Sequence, residues 1–341
     1  MSLKVAITGG AGFVGSHLAE ELIKQNYQVV IIDDFSTSNK PDMEHLVVNS
    51  LTRPSRKNNI PSHSPIQEKG NETEQVQLFE ESIADISLLQ IALQGVDYVF
   101  HMAAIPSVTK SIEDPLTSHS INATGTLNVL IAARDNKVKK VIYASSASVY
   151  GNTQEVPILE ETTPNPQSLY AITKLTGEYY CQAFTQIYGL DTICLRFFNV
   201  YGPGQNPNSQ YAAVIPRFIN MSLHEKSPII YGDGCQTRDF VFVNDAVTAV
   251  ILAAKSNTTG IFNIGTGNKT TIIDLTKLII ELTDKHLKPV YQRPRLGDIK
   301  HSLADISKAR SFGYAPQHNL KEGLEKTIQR FENCRVINSG Y

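Results

Sequence analysis

Two residues of this chain, Tyr170 and Lys174, have the types and the spacing that acid–base chemistry needs. They lie four positions apart in a stretch with a helical pattern, residues 169–174, and side chains at that spacing share one helix face. A cation beside a phenol favours the charged phenolate and lowers the phenol's pKa, so this tyrosine could act as a base near neutral pH. Such pairs also arise by chance on exposed helices, so the prediction depends on its surroundings.

A cluster of serines precedes this pair. Ser146 and Ser148 follow residues 141–145, an apolar run that predicts a strand. Ligands of open α/β sheets bind at the carboxyl ends of the strands, where these hydroxyls are expected. The alternative interpretation is an ordinary serine-rich loop start. A strand-end serine upstream of a tyrosine and a lysine four apart is rarer than either feature alone, and it favours a catalytic site.

A glycine-rich turn near the N-terminus, residues 8–15 (TGGAGFVG), predicts a dinucleotide site. It follows an apolar run and opens onto an amphipathic segment. Gly9 would allow the tight turn, Gly12 the approach of a pyrophosphate, and Gly15 close packing of helix on strand. The helix N-terminus would then present N–H groups and a partial positive charge to the phosphates.

An acid follows at the expected distance. Asp33 ends the second apolar run, 18 residues after Gly15. A carboxylate there accepts hydrogen bonds from ribose hydroxyls and repels a 2′-phosphate, and no Arg or Lys follows before Lys40, so the sequence favours NAD over NADP. The alternative is a solvated acid in a turn.

The elements needed to position these residues alternate along the chain. Apolar runs predict strands at 5–8, 29–32, 76–79, 96–101, 141–145, 192–197 and 261–264, and helical patterns occupy 16–24, 87–92, 122–135 and 170–188. Alternation of this kind predicts an α/β fold, a doubly wound parallel-sheet Rossmann domain. We assign residues 1–199 and 236–264 to this domain, and 200–235 and 265–341 to a smaller C-terminal substrate-binding lobe. The polar stretch 49–75 lacks periodicity and is interpreted as an insertion.

Composition excludes several other classes. The net charge is −2, and no basic stripe suggests a nucleic-acid partner. The apolar runs are of strand length, so no membrane span is expected. The first strand begins at once, which leaves no room for a signal peptide, and the four scattered cysteines suggest reduced thiols; both favour a cytoplasmic protein. The sequence suggests no metal site.

Together these motifs resemble the extended short-chain dehydrogenases/reductases, and among them the nucleotide-sugar 4-epimerases of the UDP-galactose/UDP-N-acetylglucosamine type. The resemblance covers nearly the whole chain apart from the insertion. It rests on the glycine turn, 85–86, 101–104 (HMAA), 145–151 (SSASVYG), the Tyr170–Lys174 pair, 196–203 (RFFNVYGP) and 238–241 (RDFV).

The resemblance implies a role for each matching residue. NAD would be bound by Gly9, Gly12, Phe13, Val14, Gly15, Asp33, Asp34, Asp85, Ile86, Ala103, Ala104, Tyr170 and Lys174. Tyr170, Lys174 and Ser146 would be catalytic, with Tyr170 as the acid/base. A UDP-sugar would be bound by Ser148, Asn199, Val214, Arg217, Tyr231, Arg238, Arg295, Asp298 and Ser302. It also implies a homodimer joined by a four-helix bundle, for which the candidate helices are 122–135 and 170–188.

The reaction implied is epimerisation at C4 through a transient 4-keto sugar, with NAD as a bound catalyst. Dehydratases of this group carry Thr-Asp-Glu where this chain has Ser146-Ala147-Ser148, so dehydration would lack its proton relay. Ser302 is small where epimerases limited to non-acetylated sugars have a tyrosine, so N-acetylated sugars are also expected. UDP-glucuronate 4-epimerases, decarboxylases, net oxidoreductases and a non-catalytic NAD(H)-binding regulator remain as alternatives.

Overall fold

The computed structural model describes residues 2–38, 75–207, 213–294 and 299–338. In chain order, its strands are β1 (Lys4–Thr8), β2 (Gln28–Ile32), β3 (Val76–Phe79), β4 (Tyr98–His101), β5 (Lys140–Ser146), β6 (Asp191–Phe197), β7 (Asn199–Tyr201), β8 (Ile229–Tyr231), β9 (Thr237–Arg238), β10 (Phe240–Phe242), β11 (Gly260–Ile264), β12 (Thr270–Thr271) and β13 (Val290–Gln292). Seven of them form one parallel sheet in the order β11-β6-β5-β4-β1-β2-β3. The predicted α/β fold is confirmed.

The helices that cover this sheet follow the same alternation. They are α1 (Phe13–Lys24), α2 (Ile86–Ala92), α3 (Val108–Glu113), α4 (Pro115–His119), α5 (Thr126–Asp135), α6 (Leu169–Tyr188), α7 (Val214–Leu223), α8 (Val243–Lys255), α9 (Ile272–Leu282), α10 (Ser307–Arg310) and α11 (Leu320–Asn338). A π-helical turn, Ser120–Gly125, leads into α5, and a 3-10 turn, Ala147–Tyr150, follows β5.

Both faces of the sheet are buried, which explains why its strands are apolar along their length rather than alternating. On one face, Leu18 of α1 and Val250 of α8 pack in a core with Ile7 of β1. On the other face, Leu89 of α2 and Val129 of α5 pack in a second core that also includes Cys181 of α6. Each strand therefore contributes alternate residues to two hydrophobic layers.

The predicted strands and helices are present, with small shifts at their ends. Helix α1 begins at Phe13, three residues before the predicted start, because Gly12 takes the N-cap position. Helix α2 begins at Ile86 because the Asp85 carboxylate accepts hydrogen bonds from the N–H groups of Ser87 and Leu88. The predicted helix at 122–135 starts instead as the π-helical turn and becomes α-helical at Thr126. Of the predicted insertion, only Gln75 lies within the described residues.

The segments assigned to the substrate-binding lobe form helices and short strands, some of which pair with strands from residues 236–264 of the predicted Rossmann domain. β7 pairs with β10 and β8 with β13, both in parallel, and β9 pairs with β12 in antiparallel fashion. Phe218, Ile230 and Leu275 from these segments belong to the same core as Ile7 of the central sheet. The hydrophobic core is thus continuous between the two predicted parts, and their division into domains stays a prediction.

Three further findings concern the described residues as a group. None of the helices they form is both long and apolar enough to cross a bilayer. They contain no cluster of three His, Cys, Asp or Glu side chains that could hold a metal ion. Cys181 and Cys194 are buried free thiols, and Cys235 is an exposed one.

Candidate active site

The glycine turn brings its backbone very close to neighbouring chain segments. Gly9 has φ +70°, and a Cβ there would lie 2.6 Å from the backbone nitrogen and Cα of Ala103. A Cβ on Gly15 would lie 2.0 Å from the carbonyl oxygen of Gly9. Helix α1 begins at Phe13, and its N-cap residue, Gly12, has no side chain to cap the first N–H groups. Those N–H groups therefore remain available to an anion such as a pyrophosphate.

Asp33 lies beside this turn and is buried, so it is not a solvated turn acid. Its carboxylate accepts hydrogen bonds from the N–H groups of Ala11 (2.9 Å) and Phe35 (2.8 Å). Burial raises the pKa of Asp33, and these hydrogen bonds act in the opposite direction. Asp34, by contrast, is exposed and accepts a hydrogen bond from the Ser36 N–H at 3.0 Å. Asp33 therefore joins the end of β2 to the glycine turn, and its contact with a ribose stays a prediction.

A buried histidine supports the floor of the same site. His101 Nδ1 lies 2.7 Å from Thr8 Oγ1, and its Nε2 lies 2.8 Å from Thr126 Oγ1. Burial, together with the charge of Lys174, lowers the pKa of His101 to about 3, so its ring is neutral at pH 7. Thr8 Oγ1 in turn accepts a 3.4 Å hydrogen bond from the N–H of Ala103. The sequence analysis named His101 only within the motif 101–104 and predicted no role for it.

The remaining predicted cofactor residues lie around the turn and at the start of α2. Phe13 and Val14 are half-buried at the start of α1, and Ala103 and Ala104 are half-buried just after β4. Ile86 is half-buried, whereas Asp85 is exposed and caps α2. The contacts of these residues with a cofactor stay predictions.

The three predicted catalytic residues come together at the carboxyl end of β5. Tyr170 and Lys174 lie one turn apart on α6, and the Ser146 hydroxyl lies close enough to the Tyr170 phenol to lower its pKa. Ser146 Oγ also accepts a hydrogen bond from the N–H of Ser148 at 3.1 Å. The start of α6 is fixed by Ser111, whose Oγ accepts a 3.1 Å hydrogen bond from the N–H of Tyr170.

The proton affinities of this pair differ from the expectation. Burial raises the pKa of Tyr170 to about 12, and only the neighbouring Ser146 hydroxyl lowers it. Burial also lowers the pKa of Lys174 to about 8. The expected acidification of the phenol by Lys174 is therefore wrong for the protein groups alone. The ammonium donates instead to the carbonyl oxygen of Ala144, at 2.7 Å.

Three of the predicted UDP-sugar residues are brought together by strand pairing. Asn199 lies in β7, which pairs with β10, and its N–H donates to the carbonyl oxygen of Asp239 at 3.0 Å. Arg238, which directly precedes Asp239 in the chain, is the last residue of β9. Ser302 is buried, and its N–H donates to the carbonyl oxygen of Thr237 at 3.1 Å. The backbone segments that carry Asn199, Arg238 and Ser302 are therefore neighbours, although about a hundred positions separate the first from the last.

The Asp239 carboxylate holds this region in place. It accepts hydrogen bonds from the N–H and the hydroxyl of Thr266 (2.8 and 2.7 Å), and from the N–H groups of Gly267 (2.9 Å) and Ala304 (3.2 Å). Asp239 is fully buried. It therefore ties the end of β11 to the segment that carries Ser302. The sequence analysis named Asp239 only within the motif 238–241 and predicted no role for it.

A second group of predicted substrate residues lies on α7 and β8. The Arg217 guanidinium stands 5.5 Å from the centre of the Tyr231 ring and donates to the carbonyl oxygen of Ile229 at 3.3 Å. Val214, half-buried, is the first residue of α7. Arg295 and Asp298 lie outside the described residues. Within the described part, the buried Ser148 hydroxyl has no hydrogen-bond partner, which leaves it available to a ligand.

Comparison with known proteins agrees with this arrangement. Residues 5–265 match the family model for the NAD dependent epimerase/dehydratase family. That match covers more than half of the chain. The chain belongs to this family.

Members of the family resemble this chain over its whole length. A putative UDP-glucose 4-epimerase of Methanocaldococcus jannaschii is 36% identical over 331 residues, which cover 96% of this chain and 98% of that protein. The UDP-N-acetylglucosamine 4-epimerase of Methanobrevibacter ruminantium M1, solved in complex with UDP-N-acetylmuramic acid, is 38% identical with a TM-score of 0.86, covering 98% of this chain and 99% of that one. The UDP-glucose 4-epimerase of Thermotoga maritima, solved with UDP-glucose, is 34% identical with a TM-score of 0.86. The match covers 98% of this chain and 100% of that one.

A further similar solved structure is that of an enzyme named for a charged sugar. The UDP-glucuronic acid 4-epimerase of Bacillus cereus, in complex with UDP-glucuronic acid and NAD, is 30% identical with a TM-score of 0.84, covering 97% of this chain and 100% of that one. The cofactor named by the family fits the residues present here. An NAD site requires a helix N-terminus without a side-chain cap, glycines with no room for a Cβ, and an acid after β2, and all three are present here.

Proposed function

We propose that this protein is an NAD-dependent UDP-sugar 4-epimerase that works through a transient 4-keto sugar. The observation that carries the proposal is the neighbouring position of Ser146, at the end of β5, and Tyr170, at the start of α6, on the sheet edge that also bears the glycine turn. Lys174 lies one helical turn away. This is an acid/base group beside a dinucleotide site, the pair that reversible oxidation of a sugar hydroxyl needs.

Each side chain has a defined task in this proposal. Tyr170 takes the proton from the sugar 4-hydroxyl and later returns it, while Ser146 hydrogen-bonds the same sugar oxygen. NAD, held by the glycine turn and Asp33, would supply the hydride acceptor and a positive charge. Because burial holds the pKa of Tyr170 at about 12, that added positive charge is needed to make the phenol a base near neutral pH.

The substrate side of the proposal rests on charge and size. Arg238 and Asn199, held next to Asp239, would bind the diphosphate, since a guanidinium suits phosphate oxygens. Ser302 is small and buried, which leaves room for an N-acetyl group on the sugar. We therefore expect both UDP-Glc/UDP-Gal and UDP-GlcNAc/UDP-GalNAc as substrates.

Incubation with a panel of UDP-sugars, without added NAD, tests this function when the products are identified by NMR. The expected result is interconversion of 4-epimers by protein that retains NAD through purification. Conversion of UDP-glucuronate alone would instead favour a uronate epimerase or decarboxylase. Failure on every sugar, with NAD still bound, would favour a regulator.

Tyr170→Phe tests the acid/base assignment. The loss of the phenol hydroxyl should lower kcat by about 10²–10⁴-fold, the usual contribution of a positioned acid/base group. Bound NAD and the Kd for the UDP-sugar should change little, because the ring remains. Full epimerase activity in this variant would refute the assignment.

We also propose that the protein is a homodimer. Val108, Ile112 and Leu116 are exposed at successive four-residue steps along α3 and α4, and Ile172 and Tyr179 are exposed on α6. Helices α3 and α4 both pack against α6, so these residues form one apolar surface. An exposed apolar surface of this kind favours a second copy of the chain as partner. No large apolar residue of α5 is among the exposed ones, so α3 and α4 replace the predicted helix 122–135 in this proposal.

The cellular location proposed is the cytoplasm. Cys181, Cys194 and Cys235 are free thiols, which fits a reducing compartment. Recovery of the protein in a secreted or periplasmic fraction would contradict this.

A further inference from the structure

A buried ion pair lies directly below the proposed catalytic residues. Glu178 is 0% and Arg196 2% exposed. The pair is bidentate, with Arg196 Nε 2.9 Å from Glu178 Oε1 and Nη2 2.7 Å from Oε2. Glu178 lies on α6 one turn beyond Lys174, and Arg196 lies on β6. Neither side chain has a task in the chemistry described above.

Two hydrogen bonds attach Ala144 and Ser145 of β5 to α6, and one of them ends on this ion pair. Lys174 Nζ donates to the carbonyl oxygen of Ala144, and the Ser145 hydroxyl donates to Glu178 Oε1. Ser145 also lies directly opposite Arg196 in the β5–β6 register. The residue that follows is Ser146. The ion pair therefore fixes the backbone immediately before the hydroxyl that meets the substrate.

Stability alone does not explain a pair of this kind. Removing two charges from water costs several kcal/mol per ion, and their attraction often does no more than offset that cost. Apolar residues of similar volume would stabilise the fold equally well. The pair instead fixes the orientation of the two side chains, because a bidentate guanidinium–carboxylate contact holds both groups in one geometry.

We infer that Glu178 is a positioning residue, which orients Ser145 and thereby sets Ser146 against Tyr170. The inference rests on the proposed function, since epimerase turnover is its first readout. Arg196 holds Glu178 in the orientation that accepts the Ser145 hydroxyl. It also donates from Nη1 to the carbonyl oxygen of Glu160 at 3.3 Å, so the pair cannot turn freely.

Glu178 also acts on the charge of Lys174. The groups that face the Lys174 ammonium are Glu178 and Cys181 from α6, the Tyr143 ring at 5.0 Å from β5, and neutral His101 from β4. Burial lowers the pKa of Lys174 to about 8, and Glu178 opposes this effect. Loss of the Glu178 charge should therefore lower the pKa of Lys174 further, and the ammonium should lose its proton at a lower pH.

The decisive variant is Glu178→Gln, assayed as purified holoenzyme and expressed per mole of folded protein. We expect kcat to fall by about tenfold to a hundredfold, because small misplacements of catalytic groups have costs of that size. KM and bound NAD should stay within about twofold of wild type. The alkaline loss of kcat should begin at a lower pH than in wild type.

A second readout does not depend on turnover. A lysine whose folded pKa is lowered makes the unfolded state bind more protons between about pH 8 and 10.5, so stability rises with pH over that interval. In Glu178→Gln this rise should begin at a lower pH. Denaturant unfolding at a series of pH values measures it.

Asp245→Asn is the matched control. Asp245 is also a buried carboxylate, and it accepts hydrogen bonds from the N–H groups of Gln317 (3.1 Å) and His318 (3.0 Å), away from the catalytic residues. This variant should lose stability and keep kcat and its pH profile. Where Glu178→Gln alone folds poorly, the double variant with Arg196→Met removes both buried charges and keeps the test possible.

The outcomes separate the two proposals. A kcat within twofold of wild type and unmoved pH profiles, in Glu178→Gln or in the double variant, would mean that the pair has only a structural role. Wild-type protein that converts no UDP-sugar contradicts the proposed function instead. In that case the unfolding measurements still decide whether Glu178 acts on Lys174.

Discussion

Three titratable side chains meet at one edge of the sheet: His101 and Lys174 are buried and Tyr170 is half-buried. The loss of contact with water shifts the pKa of each in the direction that favours its uncharged form. The values are about 3 for His101, about 12 for Tyr170 and about 8 for Lys174. The i, i+4 spacing predicted that Tyr170 and Lys174 are neighbours, which the structure confirms. It could not predict which effect sets their pKa values, because burial depends on tertiary contacts and the sequence gives only the pair.

Ser302→Tyr should narrow the sugar range. A tyrosine at this buried position would fill the room left for an N-acetyl group, so kcat/KM for UDP-GlcNAc should fall by about 100-fold, with UDP-Glc affected much less. Ser302→Ala, which keeps the space, is the control and should retain both activities. Turnover of the two UDP-sugar pairs measures the effect, and equal losses on both would mean that Ser302 does not face the sugar.

Among the elements, the seven strands of the central sheet and helices α1, α2, α5 and α6 were predicted, because their apolar patterns extend over several residues. Helices α7, α8, α9 and α11 were not predicted. The short strands β7, β8, β9, β10, β12 and β13 were not predicted. Each has two or three residues, too few to show a period. They matter for the site, since β7 and β9 carry Asn199 and Arg238. Glu178 was missed for a different reason: a glutamate in a helix resembles a solvated one until its burial is known.

The turn between β1 and α1 can be tested with two glycines of nearly equal φ. Gly9 (+70°) would place a Cβ 2.6 Å from the Ala103 backbone, whereas Gly95 (+69°) has nothing within 4 Å. Gly95→Ala should lower the free energy of unfolding by only about 1–2 kcal/mol, the strain of a left-handed backbone, and the protein should still bind NAD. Gly9→Ala should cost about 1–3 kcal/mol more, for the overpacking, and lose NAD.

Unfolding free energies and the NAD content of purified protein measure this difference. Equal effects of the two substitutions would contradict the close approach at Gly9.

For the whole molecule, the apolar surface on α3, α4 and α6 sets the expected assembly. Leu116 is its most exposed member, at 82%. Leu116→Lys would place a charge within the interface of the proposed dimer and weaken association by at least about 2 kcal/mol, roughly 30-fold in Kd. Analytical ultracentrifugation over a range of protein concentrations measures this.

Ile91→Lys is the control for this prediction. Ile91 is an exposed apolar residue on α2, outside the surface formed by α3, α4 and α6. It should leave the assembly unchanged. Wild-type protein that is monomeric at all concentrations would contradict the dimer itself.

The hydrogen bonds of Asp239 have a consequence for evolution and engineering. They link loop, strand and lobe segments that are separated by long stretches of chain, within one hydrophobic core. The proposed substrate-binding lobe therefore cannot be exchanged between relatives as a separate unit. A chimaera with a new sugar range would have to take the segments around 199, 238 and 302 together from one relative. Single substitutions, such as those at Ser302, can change without the other segments.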